Sequence, residues 1–314
     1  MKELKIIFMG TPDFAVASLE RLIAEGYEVD RVITQPDRPK GRGNRVQSPP
    51  VKERALKAGI LVMQPERVKD KGFIGALKEI KPDIIIVVAF GQILPEEIIN
   101  LPAMGCINVH ASLLPKYRGA APINWCIING EKQTGVTTMY MDTGMDTGDM
   151  LLCRAAGIGD DETAGKLHDR LAVMGADLLV ETLQGVIKGN LVRKVQDDAQ
   201  ATYAPQLNRE TGRIDWKLDA RSIYNLIRGT NPWPGCYTHY QGKRIKLWKA
   251  KVLEEESEGV SGEITGVDSA GMVVQTGRGS LLVTEIQMPS SRRMMVEQYL
   301  RGNHINVKSV LGER

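Results

Sequence analysis

The stretch DIIIVVAF at residues 83–90 limits this chain's fold more than any other. β-Branched residues in an unbroken apolar run, with no polar residue at alternate positions, make a strand that is buried on both faces. Strands of that kind belong to parallel sheets with helices on either side. The neighbouring patterns agree. Residues 4–8, 29–34 and 107–110 read as further strands, and residues 50–58, 68–80 and 95–100 as helices between them. Asp13 is placed to cap a helix whose Phe14, Leu19, Leu22 and Ile23 share one face. The alternation predicts an α/β, Rossmann-like, mostly parallel sheet. Such sheets carry their chemistry beyond the C-terminal ends of their strands.

A chain of 314 residues is long enough for two domains. A long helical pattern over 162–188 is followed by polar, turn-rich residues 196–212, which read as a linker. Beyond it come a short helix at 220–228 and short strands at 242–252, 262–267, 271–275 and 280–286, the pattern of a small OB-like β-barrel. The expected division is a catalytic domain over 1–205 and a second domain over 206–314. The second carries 16 Lys+Arg against 12 Asp+Glu; the first carries 25 against 26. A basic second domain suits an anionic partner, although charge alone also fits ordinary solubility.

The 4 cysteines are scattered without a C-x-x-C, which argues against a zinc site or a disulfide framework and suits a reducing compartment. The opening residues are too short and polar for a signal sequence, and no apolar run is long enough to span a bilayer. A cytosolic protein without a membrane partner is expected, and nothing demands a partner subunit, so a monomer is expected.

Three segments carry chemistry. The first βα turn, FMGTPDF, has Gly10 but no G-x-G-x-x-G, which disfavours a dinucleotide dehydrogenase; there is no Walker-type loop either. Asn108 and His110, two apart at a strand's C-terminal end, put an amide and an imidazole on one face, able to steady a carbonyl oxygen gaining charge. A turn Asn and a backbone-bonded His would be the plainer account of that pair taken alone. The acidic loop MDTGMDTGDM holds Asp142 and Asp146, and a carboxylate beside His110 can help hold or move a proton. Its plainer account is a surface loop whose Asp side chains cap turns. The third segment, PDRPKGRGNRVQSPP at 36–50, sets Arg38, Lys40, Arg42 and Arg45 among glycines and prolines. It reads as a long mobile loop, neither helix nor strand, suited to phosphate contacts or to simple solvation.

Together these segments resemble the folate-dependent formyltransferases. The resemblance rests on Asn108, His110, Ser112-Leu113-Leu114-Pro115 and Asp146, and extends through KYRGAAPINW, GTPDFA, PDRPKGRG and IRGTNPWPG over nearly the whole chain. It implies 10-formyltetrahydrofolate as donor, without a metal, and initiator methionyl-tRNA as acceptor. By the same resemblance Asn108, His110 and Asp146 are catalytic. Phe90, Gln92, Leu94, Ser112, Leu113, Leu114, Pro115 and Asp142 would meet the folate. Arg38, Lys40, Arg42 and Arg45 would meet the tRNA. Related enzymes acting on a nucleotide-linked amino sugar or a purine-pathway amine share much of the His110 motif, so that segment alone leaves the acceptor open. A nucleic-acid-binding protein on a retired catalytic scaffold is a further alternative, opposed by the presence of Asn108, His110 and Asp146.

Overall fold

The computed structural model describes residues 4–40, 45–253 and 259–312, with backbone alone at Lys40 and Arg45. These residues form two compact units. The first holds residues up to 119 together with 134–157 and 168–204; the second holds 120–133, 158–167 and the residues from 205 onward.

In the first unit the elements begin with β1 (Ile6–Gly10), α1 (Asp13–Ala24) and β2 (Val29–Ile33). Then come β3 (Arg38–Lys40), β4 (Arg45–Gln47), α2 (Pro50–Lys57), β5 (Leu61–Met63), α3 (Lys71–Ile80) and β6 (Ile84–Val88). After α4 (Glu96–Ile99) and β7 (Cys106–His110) lies the short β8 (Arg118–Gly119). Past α5 (Pro122–Ile128), which belongs to the second unit, come β9 (Gln133–Tyr140), β10 (Met150–Gly157), α6 (Ala164–Lys188) and β11 (Tyr203–Ala204), of which Gln133 and the first turn of α6, through Leu167, are counted with the second unit.

Seven strands make one sheet in the order β10-β9-β7-β6-β1-β2-β5. The pairs from β5 through β7 are parallel; β9 turns back antiparallel on β7, with His110 opposite Thr137. Every residue of β1 and β6 is buried, as their apolar runs require. Ile7, Met9, Ile85 and Val87 point into a cluster with Ile74, Leu77 and Ile98 from α3 and α4. The alternate residues face the other side. Strand order reverses between β1 and β6, and a parallel sheet offers its crevice at that switch point.

The sequence expectation of an unstructured basic loop over 36–50 needs correction. Arg38 pairs with Gln47, Pro39 with Val46 and Lys40 with Arg45, so β3 and β4 form an antiparallel hairpin. Proline lacks a backbone donor yet is tolerated in a two-stranded edge ladder, where its nitrogen can face solvent. The root of the hairpin is fixed by Asp37. Its Oδ2 accepts from Lys52 Nζ at 2.6 Å and its Oδ1 from Gln64 Nε2 at 2.8 Å. Residues 41–44, including the proposed tRNA contact Arg42, lie outside the described residues.

In the second unit α7 (Ala220–Gly229) is followed by β12 (Cys236–Tyr240), β13 (Lys243–Leu253), β14 (Ile264–Asp268), β15 (Gly271–Gln275), β16 (Ser280–Gln287), β17 (Met294–Met295) and α8 (Val296–Leu300). The main sheet is antiparallel, in the order β12-β13-β16-β15-β14, with β17 on β16. Its core gathers Ile223 and Ile227 of α7 with Leu247, Ile264, Val274, Leu281 and Val283. Asp219 caps α7, accepting from Ser222 N at 3.0 Å. On its other flank α7 meets α5, where Asn124 Nδ2 donates to Gly229 O at 2.8 Å. A Cβ on Gly229 would stand 2.5 Å from Ile128 Cγ1, so this close approach needs glycine.

Candidate active site

β7 ends at the switch-point side of the sheet, and its pleat sends Asn108 and His110 to the same face. His110 is 6% exposed. Its Nε2 lies 2.9 Å from the carbonyl oxygen of Tyr117, which can only accept, so this ring nitrogen carries a proton and Nδ1 is left to face the site. Asp146 comes from the loop joining β9 to β10. Its Oδ2 accepts from the backbone N–H of Gly119 at 2.8 Å and stands 3.6 Å from His110 Nδ1. The latter is an approach rather than a hydrogen bond. Asn108 Nδ2 reaches Asp146 Oδ1 at 3.4 Å. The amide, imidazole and carboxylate picked out in the sequence thus converge, although Asp146 lies 38 residues from Asn108.

The loop that carries Asp146 is tightly wound. Asp146 itself has φ 54°, a left-handed conformation that costs a non-glycine residue about 1–3 kcal/mol and persists only where its surroundings hold it. Asp142 Oδ1 accepts from Gly144 N at 3.0 Å and from Thr147 Oγ1 at 2.6 Å, closing a turn. Gly148 is required by space: a Cβ there would lie 1.8 Å from Tyr140 O.

Beside this loop opens a cavity of about 310 Å³ lined by Gln92, Ile93, Leu94, Met139, Met141 and residues 142–146. Of the residues expected to meet a folate, Gln92, Leu94 and Asp142 line it. Gln92 is also tied down, its Oε1 accepting from Val68 N at 3.0 Å. Phe90 is buried in the core behind, and its carbonyl accepts from Thr11 Oγ1 at 2.8 Å. Ser112 to Pro115 do not line the cavity and instead build the turn beneath His110. Ser112 Oγ donates to Lys116 O at 2.6 Å, Thr137 Oγ1 donates to Ser112 O at 2.7 Å, and the Leu114–Pro115 peptide is cis. Leu113 packs over Gly135 on β9, where a Cβ would lie 2.6 Å from its Cδ2. Arg38 stands on the hairpin and approaches Glu66 at 3.6 Å. Lys40 and Arg45 are placed by backbone alone. Among the described residues no group of His, Cys, Asp and Glu is arranged to hold a metal ion.

Two features escaped the sequence reading. Arg118 and Gly119 form β8, which pairs with β11, so the supposed linker is part of the site's wall. Gln196, read as linker, is 7% exposed and reaches Asp146 itself. Nothing local marks it; its partners are distant in sequence.

The chain belongs to the formyl transferase family, a family of formyl-transferring enzymes: the formyl transferase model matches residues 4–183 and the model for the formyl transferase C-terminal domain matches residues 206–304. It is 52% identical over 311 residues to the methionyl-tRNA formyltransferase of Acetivibrio thermocellus, covering 99% of this chain and 100% of that protein. It is 53% identical over 309 residues to the methionyl-tRNA formyltransferase of Clostridioides difficile, covering 98% and 100%. Among solved structures, the N-formyltransferase of Helicobacter canadensis, in complex with folinic acid and dTDP-3-aminofucose, superposes with a TM-score of 0.66 at 20% identity, covering 93% of this chain and 100% of that one. HypX of Aquifex aeolicus, in complex with tetrahydrofolic acid, gives 0.62 at 19% identity, over 95% of this chain and 47% of that one. At these identities the structural likeness is one of fold.

Proposed function

We propose that this chain transfers the formyl group of 10-formyltetrahydrofolate to the α-amine of initiator methionyl-tRNA. The observation that carries the chemistry is the meeting of Asn108, His110 and Asp146 beside the cavity. The acceptor rests on near-full-length identity to proteins named for acting on methionyl-tRNA. The basic hairpin and second unit suit a polyanion.

In the proposed reaction the acceptor amine attacks the formyl carbon directly, so no protein nucleophile is needed. An α-amine titrates near 8, and its esterified neighbour draws that value down, leaving much of it neutral at physiological pH. As the carbon becomes tetrahedral its oxygen gains charge. Asn108 Nδ2–H donates to that oxygen, a contribution of about 3 kcal/mol for one well-placed donor. With Nε2 bound to Tyr117 O, His110 meets the substrate through Nδ1. A proton leaving the amine can rest there, facing Asp146, before passing to the folate nitrogen as the carbon–nitrogen bond to the donor breaks. The products are N-formylmethionyl-tRNA and tetrahydrofolate.

The test is formyl transfer from 10-formyltetrahydrofolate, with charged initiator tRNA, free methionine and a nucleotide-linked amino sugar as parallel acceptors. Transfer to the charged tRNA alone is expected. Transfer to the sugar, or tRNA binding without transfer, would overturn the assignment.

A further inference from the structure

Asp146 is held at both ends, and the hold on its backbone comes from a part of the chain with no place in the reaction above. The side-chain amide of Gln196 donates to Asp146 O and to Gly148 O, each at 2.8 Å. One NH₂ group therefore closes the turn that keeps Asp146 left-handed. Its orientation is fixed from behind. Gln196 Oε1 accepts from Arg118 Nε at 3.1 Å and Nη2 at 2.8 Å. Arginine has no acceptor, so only the amide oxygen can face it, and both N–H groups must face the loop carbonyls. Arg118 is 2% exposed, and its Nη2 also donates to Asp198 Oδ1 at 2.7 Å.

The same stretch reaches the front of the site. Thr202 O accepts from Arg118 N at 2.8 Å, and Thr202 Oγ1 from Tyr117 N at 2.9 Å. Tyr117 O anchors His110, and Gly119, paired with Ala204, supplies the N–H that holds the Asp146 carboxylate. Residues 196–204 are thus a strap behind the groups that hold Asp146 and His110.

We propose that Gln196, aimed by Arg118, is the positioning residue for Asp146: its amide clamps the turn that presents the carboxylate to His110 and Asn108. The functional part of this inference rests on the formyl-transfer reading; the clamp itself does not.

The experiment compares wild type with Gln196→Glu, which keeps shape and an acceptor for Arg118 but loses both donors, and with Gln196→Met, which keeps volume without charge. Two readouts are taken: steady-state kinetics, and amide hydrogen exchange of the peptide covering residues 141–150. Both variants are expected to exchange faster in that peptide. Their kcat is expected to fall about tenfold to a hundredfold, the cost of a catalytic group displaced by an ångström or less. KM for the charged tRNA should stay within about twofold, whereas KM for the folate donor should rise with the loosened turn, whose residues 142–146 line the cavity. Arg118→Lys, which keeps the charge but not the forked donors, should fall between. A folded Gln196→Met enzyme with unchanged exchange and kcat would overturn the proposal. A wild type that transfers no formyl group would instead overturn the reaction, while the exchange comparison still decides the clamp.

Discussion

Gly119 donates its backbone N–H to Asp146 Oδ2 at 2.8 Å, so the site's carboxylate is set by a peptide group rather than by a side chain alone. Gly119 sits at φ +115°, and an added Cβ would lie 2.9 Å from Ala204 O and 3.6 Å from Met145 Sδ. Both the conformation and the space call for glycine. Gly119→Ala should therefore push β8 from β11 and turn its N–H away from Asp146. We expect a stability loss of about 1–3 kcal/mol together with a fall in kcat. Urea unfolding and steady-state kinetics on the same preparation check this; normal turnover would show that the Gly119 contact is dispensable.

Asn108 is half-buried in the middle of β7, and its amide reaches Asp146 only at 3.4 Å in this structure. A donor so loosely engaged is free to turn to a substrate oxygen. Asn108→Ala should lower kcat by about a hundredfold to a thousandfold with little change in stability, as removal of one oxyanion donor does elsewhere. His110→Ala should abolish turnover, because Nδ1 is lost from beside Asp146. Single-turnover formyl transfer with saturating donor measures both, and a folded His110→Ala enzyme with near-normal rate would remove that residue from the mechanism.

The uneven legibility of this protein has a physical basis. DIIIVVAF could be read because burial on both faces leaves a composition that few other structures tolerate. Asn108 and His110 could be read because a strand's alternation is strictly local. β9 and β10 were not assigned from the pattern: β9 is rich in Thr, and its Thr137 and Thr138 hydroxyls are buried only because Ser112 O and Thr182 Oγ1 receive them. Gln196 was invisible for the same reason in stronger form. A polar residue in a polar stretch looks like linker until partners 78 and 50 residues away fill its amide.

Asp37 ties the basic hairpin to the sheet. The Gln64 amide, then the Lys52 ammonium, hold its carboxyl below the usual carboxylate range. With the folded value depressed, the support is complete above the unfolded value of about 3.9 and lost as pH falls through the lower folded one. At neutral pH the anchor is fully engaged. Asp37→Ala should therefore raise KM for charged tRNA severalfold at neutral pH while leaving KM for the folate donor unchanged, since Asp37 does not line the cavity. Equal effects on both substrates would place the anchor's influence on the site as a whole rather than on the hairpin.

Asp219 offers a test of the second unit by itself. It caps α7 through Oδ1, which accepts from Ser222 N at 3.0 Å, and Oδ2, which accepts from Ser222 Oγ at 2.7 Å. The Ser222 hydroxyl, aided by backbone N–H groups, holds its carboxyl below the usual range against the opposing effect of burial. Asp219→Ala should cost about 1 kcal/mol, the usual loss for an N-cap replaced by alanine. The chain's 4 tryptophans, Trp125, Trp216, Trp233 and Trp248, all fall within the second unit, so their fluorescence follows its unfolding. The urea midpoint of the variant should lie below wild type at pH 7 and at pH 5. Because the folded carboxyl titrates below the unfolded one, the gap should narrow only as pH falls below about 4, through the folded value. A gap that narrows instead between pH 7 and 5 would assign the lost stability to a histidine rather than to the cap, for only then would the titrating group lie in that window.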